Sequence, residues 1–182
     1  MRKSLSPGEL GLRFFLLSLT VLFAASVIGI LVVRYKAPVW PPAGAPPLPR
    51  GLWLSTGLIL LSSWTMGRAG RHWARGESRP ATRFLLATAS LALAFIANQT
   101  HNWLAIWPGV RVQTIALYVF SFLLLTALHA LHVLGGLVSL AVVTVKAGKG
   151  RLSAAGLSYA ATYWHFLTVV WLVLFAFLEL TF

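Results

Sequence analysis

The sequence has no cysteine, no aspartate and almost no acid of any kind: of 182 residues only Glu9, Glu77 and Glu179 carry a carboxylate. The missing cysteines exclude disulfides, thiolate metal sites and iron–sulfur ligation by this chain. Charge as a whole is scarce. Ten per cent of the residues are Asp, Glu, Lys or Arg, where an ordinary soluble domain has about 25%. What fills the chain instead is apolar. Hydrophobic residues make up 58% and the mean hydropathy is +0.81, so the sequence reads as an integral membrane protein.

Five apolar runs account for most of it. They cover Leu12–Val33, Leu52–Ala74, Phe84–Trp107, Gln113–Val145 and Leu157–Thr181. Each suits a spanning helix, which needs about 20 mainly apolar residues. The second is the weakest, being apolar as far as Met66 and polar beyond it. The first run is longer than the ~7–15 apolar residues of a cleaved signal peptide, and is read as a helix that stays. Backbone groups in lipid must be satisfied internally, which leaves helices or closed barrels. No run shows period-two alternation, so the expectation is an all-α bundle of five transmembrane helices, residues 1–182 forming one domain.

The 15 Lys and Arg give a formal net charge of +12. They sit at the ends of apolar runs, where topology places them, and not in a separate basic element, so nucleic-acid binding is rejected. With the N-terminus inside, the inner segments hold Arg2, Lys3, Arg13, Arg68, Arg71, Arg75, Arg79, Arg83, Lys146, Lys149 and Arg151. The outer ones hold Arg34, Lys36, Arg50 and Arg111. Eleven against four places the N-terminus in the cytoplasm and the C-terminus outside. The first outer loop, from Trp40-Pro41-Pro42 to Pro47, is proline-rich and expected to be extended rather than helical. No internal repeat is present, which disfavours a repeat-built transporter.

Polar residues inside the runs carry the functional question, because ionisable groups there are expensive and usually have a reason. Thr126, His129, His132, Gly136 and Ser139 recur at helical steps in the fourth run, and Ser158, Thr162, His165 and Thr168 in the fifth. In the first, Ser18, Ala25 and Gly29 share a face, and Ala25/Gly29 has the small-x-x-x-small spacing of close helix contact. The third ends in Asn98-Gln99-Thr100-His101-Asn102. Four readings follow. His165 with His129 or His132 could ligate haem b from two helices, but no Lys or Arg lies at matching depth for propionates. Three imidazoles could bind a metal, but no interior carboxylate accompanies them. A proton path normally needs Asp or Glu beside His, and only a pH-sensitive histidine survives of that idea. The remaining reading is helix packing, within the bundle or against other membrane subunits.

Two motifs sharpen this. The stretch with Thr126, His129, His132, Val133 and Gly136 resembles T-G-F-H-G-x-H-V-x-x-G. The stretch Tyr163-Trp164-His165-Phe166-Leu167-Thr168-Val169-Val170-Trp171 resembles Y-W-H-F-V-D-V-V-W. Both patterns belong to subunit III of the haem–copper oxidases, the third subunits of cytochrome c and quinol oxidases, and the resemblance covers nearly the whole chain. Trp40-Pro41-Pro42, the run ending Ser62-Ser63 with His72 beyond it, and Gln99 with Trp103 resemble weaker family segments. The chain is therefore identified as a divergent member of the five-helix bacterial form.

The resemblance implies a non-catalytic accessory subunit with no cofactor of its own beyond structural phospholipid. It implies association with catalytic subunit I and further membrane subunits of a terminal oxidase in the bacterial cytoplasmic membrane, serving aerobic electron transport. A sister reading is the third-subunit-like protein of a nitric oxide reductase; a reading outside the class is the haem b protein above. Three family carboxylates are missing: their positions are Leu19, Asn102 and Thr168. The histidines are accordingly expected to find hydroxyl, amide or carbonyl partners.

Overall fold

A computed structural model describes residues 6–108 and 113–182, the side chain of Thr114 excepted. Arg2, Lys3 and Arg111 of the charge count lie outside these residues. The described chain is all helix and loop. The helices are α1 (Pro7–Lys36), α2 (Gly51–Ala74), α3 (Ser78–Ile106), α4 (Gln113–Gly148) and α5 (Ala154–Thr181).

The helices run past their apolar cores because polar caps, which hydropathy does not register, extend them. Ser6 accepts from the Glu9 backbone N–H while the Glu9 side chain accepts from the Ser6 N–H, a reciprocal box ahead of Pro7 that satisfies two otherwise free donors. Ser153 caps α5 by accepting from Gly156 N. The hairpin between α2 and α3 turns on Gly76, whose φ of +76° suits glycine.

Helices α2, α3, α4 and α5 form a four-helix bundle. The contacts run α2 to α3, α3 to α4, α4 to α5 and α5 back to α2, while α1 lies outside against α4 and α5. Among the described residues, α1, α3, α4 and α5 are long and apolar enough to cross a membrane. The fifth helix, α2, falls short in hydropathy because its inner face is made of Ser55, Thr56, Ser62 and Thr65, all buried. Its polar groups are spent on neighbouring helices. A fully buried core of Leu52, Ile59, Leu85, Phe95, Phe122, Leu125, Val133 and Trp171 fills the bundle.

Helix α1 is different. Of its 30 residues only Leu19, Phe23 and Ile30 are buried. Ser18, Ala25 and Gly29 are exposed, and a Cβ built on Gly29 would meet nothing within 4 Å. The small-residue face read from the sequence thus makes no close helix contact among the described residues.

The loop 37–50 contains no helix. It returns against the far end of the bundle, where Trp40 Nε1 donates to the Thr181 carbonyl at 2.7 Å and its ring packs on Tyr118 and Phe182. The Trp40–Pro41 peptide is cis, and Pro41 and Pro42 carry the chain around that corner.

Candidate functional site

Of the signature residues, Phe166, Val169 and Val170 of α5 line a shallow apolar groove against Phe23 and Val27 of α1. The polar ones turn inward and meet α2 and α3 in a ladder of buried hydrogen bonds. Trp164 Nε1 donates to Ser62 Oγ at 3.1 Å, and Ser62 in turn donates to the Ile59 carbonyl at 2.7 Å. The next pair along, Ser63 Oγ and His165 Nδ1, stands at 2.7 Å. Seven residues further on α5, Trp171 Nε1 donates to Thr56 Oγ1 at 3.0 Å. Helices α2 and α5 run antiparallel, so two indoles two turns apart meet hydroxyls placed in reverse order. Lone indole and hydroxyl groups buried in lipid would each be costly, and each satisfies the other here.

The same logic joins α3 to its neighbours. Trp103 Nε1 donates to Thr126 Oγ1 at 2.9 Å, so the first residue of the α4 motif anchors α3. Ser55 donates to Gln99 Oε1 at 3.0 Å, and Asn98 Nδ2 donates to the Gly51 carbonyl at 2.7 Å and to Ser55 Oγ at 2.8 Å. Thr65 and Thr88 hydroxyls lie 2.8 Å apart. Thr56, Ser55 and Thr65 were not singled out by sequence reasoning. The available signal was the spacing of Thr56 and Ser62, which complements that of Trp171 and Trp164.

Gly136 does steric work. A Cβ there would stand 3.0 Å from the Trp164 ring and 3.2 Å from Leu167. The hydrogen of glycine lets α4 approach α5 here without displacing the Trp164 ring or Leu167. Tyr163 adds a donated bond to the His132 carbonyl at 3.0 Å, and Phe166 packs against the core from the flank.

The three histidines go three ways. His165 faces Ser63 of α2 and not α4, so it is not set opposite His129 or His132 as a bis-histidine haem would need. His132 Nδ1 bonds the Leu128 carbonyl one turn back, at 2.7 Å. His129 is fully buried inside a ring of aromatics, with centroids 5.1 Å from Trp171, 5.7 Å from Phe95 and 6.2 Å from Phe23. Neither of its nitrogens has a hydrogen-bond partner among the described residues, and Gln99 Nε2 is in the same condition. The expectation of hydroxyl, amide or carbonyl partners therefore holds for His165 and His132 and fails for His129. No group of three or more His, Asp or Glu side chains is gathered for a metal among the described residues.

The three positions at which the sequence resemblance expects carboxylates, Leu19, Asn102 and Thr168, are all buried. Leu19 sits in the apolar seam of α1. Thr168 turns its hydroxyl back to the Trp164 carbonyl at 3.2 Å. Asn102 donates to Gln99 Oε1 at 3.4 Å, and its Oδ1 occupies the space that a Cβ on Gly51 would need. The start of α2 and the end of α3 thus touch through a glycine.

Comparison with known proteins bears on this arrangement. The family described as Cytochrome c oxidase subunit III matches residues 7–180. The cytochrome c oxidase subunit 3 of Synechocystis sp. is 30% identical over 170 residues, covering 91% of this chain and 72% of the relative. That of Thermostichus vulcanus is 28% identical over 173 residues, covering 93% and 85%. The Triticum aestivum protein of the same name is 34% identical over 146 residues, covering 75% of this chain and 52% of the relative.

Proposed function

The chain belongs to the cytochrome c oxidase subunit III family, and from that premise we propose that it is a non-catalytic accessory subunit of a bacterial haem–copper terminal oxidase. In this reading it sits in the cytoplasmic membrane, N-terminus inside, with all five helices spanning. It associates with catalytic subunit I, stabilises it and holds phospholipid at its surface.

One observation carries the reading. The family-signature side chains spend their polar groups across helix interfaces: Trp164 on Ser62, His165 with Ser63, Trp103 on Thr126 and Trp171 on Thr56. A side chain so engaged packs helices. The role of these residues is then to hold α2 and α3 against α4 and α5 as a rigid body, which a catalytic subunit can dock against. Helix α2 crosses the membrane despite its modest hydropathy because its polar face is turned inward and satisfied there. The outward Ala25/Gly29 face of α1 is the place where a helix of a neighbouring subunit approaches closely.

The test is purification of the native complex with a His132→Ala variant. The expected result is weaker retention of this chain or faster loss of activity during turnover, with haem per catalytic subunit unchanged. Loss of haem in proportion to loss of His132 would contradict the reading, as would a b-type spectrum from this chain alone. The partner that co-purifies also decides between oxygen and nitric oxide chemistry.

A further inference from the structure

We propose that the α2–α3 end of the bundle is a binding site for the phosphate of an anionic phospholipid, built on Arg68 and Arg71. It rests on the reading of the chain as membrane-embedded and names the ligand chemistry of one part of its surface.

The transition from lipid to water is abrupt here. Leu60, Leu61 and Trp64 are exposed on α2, and Arg71 is exposed less than two turns further along. On α3, Arg83 is exposed and Leu86 is exposed on the apolar side of it. Trp64 and Phe84 join the two helices at that height, ring centroids 6.3 Å apart in an edge arrangement. Aromatic rings at such a level mark the headgroup zone.

Arg68 is held in place. Its guanidinium lies 5.4 Å from the Trp64 ring and 5.7 Å from the Phe84 ring. Phe84 is fixed from its own side by His72, stacked at 5.2 Å and nearly parallel, and His72 pairs with Glu77. A guanidinium set over aromatic rings makes a cation–π contact that does not use its N–H groups, and these can donate to an oxyanion. Arg71 folds back toward Arg68's turn, with one terminal nitrogen 3.8 Å from the Cβ position of Gly67. The site therefore holds two guanidinium groups within one helical turn of each other, beside exposed Leu60 and Leu61 that suit an acyl chain.

The charge is uncompensated. The pair His72–Glu77 is the one ion pair among the described residues, so no carboxylate within salt-bridge distance competes for Arg68, Arg71 or Arg83. Topology alone asks for positive charge at this end; it does not ask for a guanidinium pinned between two rings. Two planar donors of this kind match a phosphodiester at a headgroup.

The experiment uses the purified complex, reconstituted in vesicles of phosphatidylcholine with phosphatidylglycerol, then delipidated and weighed intact by native mass spectrometry. Wild type is expected to retain at least one phosphatidylglycerol per copy that Arg68→Gln/Arg71→Gln loses. Arg13→Gln/Arg151→Gln, which removes equal charge elsewhere, is expected to keep it. Should the first variant not accumulate, the single variant Arg71→Gln, whose side chain is exposed, is expected to show the same loss in weaker form. Equal retention in the Arg68/Arg71 variant, equal loss in the Arg13/Arg151 variant, or displacement by inorganic phosphate alone would overturn the proposal. So would a cross-link from this surface to an acidic segment of a neighbouring subunit with no change in lipid. Failure of the accessory-subunit reading would show separately, as absence of a catalytic subunit from the same sample.

Discussion

Ser63 and His165 stand 2.7 Å apart across the α2–α5 interface, directly beside Ser62 and Trp164 at 3.1 Å. Two adjacent serines on one helix thus meet two adjacent ring nitrogens on another. A Ser-Ser step on α2 and a Trp-His step on α5 form one polar contact, which fixes both the depth and the rotation of α5 against α2.

Breaking one member of that contact is expected to be worse than removing both. Ser62→Ala leaves the Trp164 indole N–H buried without an acceptor, at a cost of about 1–3 kcal/mol. Ser62→Ala/Trp164→Phe removes donor and acceptor together and is expected to recover part of the loss. Denaturant unfolding of the two variants in detergent measures the difference.

Gly136 sets how near α4 comes to α5. Gly136→Leu must displace the Trp164 ring and Leu167 and is expected to destabilise the bundle by about 1–3 kcal/mol, as overpacked cores do. Gly135→Ala is expected to be almost neutral, because the nearest atom to its Cβ is Tyr163 Oη at 3.8 Å. Thermal unfolding of both variants checks the contrast.

His129 sits where an apolar ring would fit. Its imidazole is buried without a partner among the described residues, a condition that destabilises a fold. His129→Phe is expected to match or raise the unfolding temperature, whereas His129→Lys, which buries an unpaired charge, is expected to prevent accumulation. A drop of several degrees for His129→Phe would show that the ring nitrogens are used.

Glu77 gives the one pH dependence expected at the α2–α3 turn. The hydrogen bond from His72 lowers its pKa below the usual 4.5; desolvation opposes this in part, and the charges of His72 and Arg75 add smaller downward effects. A depressed folded value means that the contribution is complete above the usual carboxylate pKa and is lost as pH falls through the folded one. Amide exchange of residues 74–78 should therefore speed up below about pH 4.5 relative to Glu77→Gln, which is expected to lack that change.

Much of the fold was visible in the sequence because hydropathy and length dominate helix formation in lipid. Leu12–Val33 and Leu157–Thr181 lie wholly within α1 and α5. The helix ends were not visible, because Ser6, Glu9 and Ser153 act through individual hydrogen bonds. The site was legible as motifs and not as geometry. Trp164, His165 and His132 were marked by pattern, yet periodicity cannot say which helix a side chain faces. That His165 turns to α2, and that Ala25/Gly29 points away from the chain's own helices, depends on packing between elements far apart in sequence.

The outward face of α1 separates folding from assembly. A Cβ at Gly29 would meet nothing within 4 Å among the described residues, and Gly29→Leu is expected to leave the unfolding temperature of this chain unchanged. In the accessory-subunit account, the same variant loses close helix contact with a neighbouring subunit and co-purifies poorly with it.

The most direct measurement is the subunit and haem inventory of the complex purified through this chain. The account predicts a catalytic haem–copper subunit in the eluate, with all haem assigned to it and none to this chain after dissociation. Recovery of this chain alone, carrying a b-type haem spectrum, would contradict it.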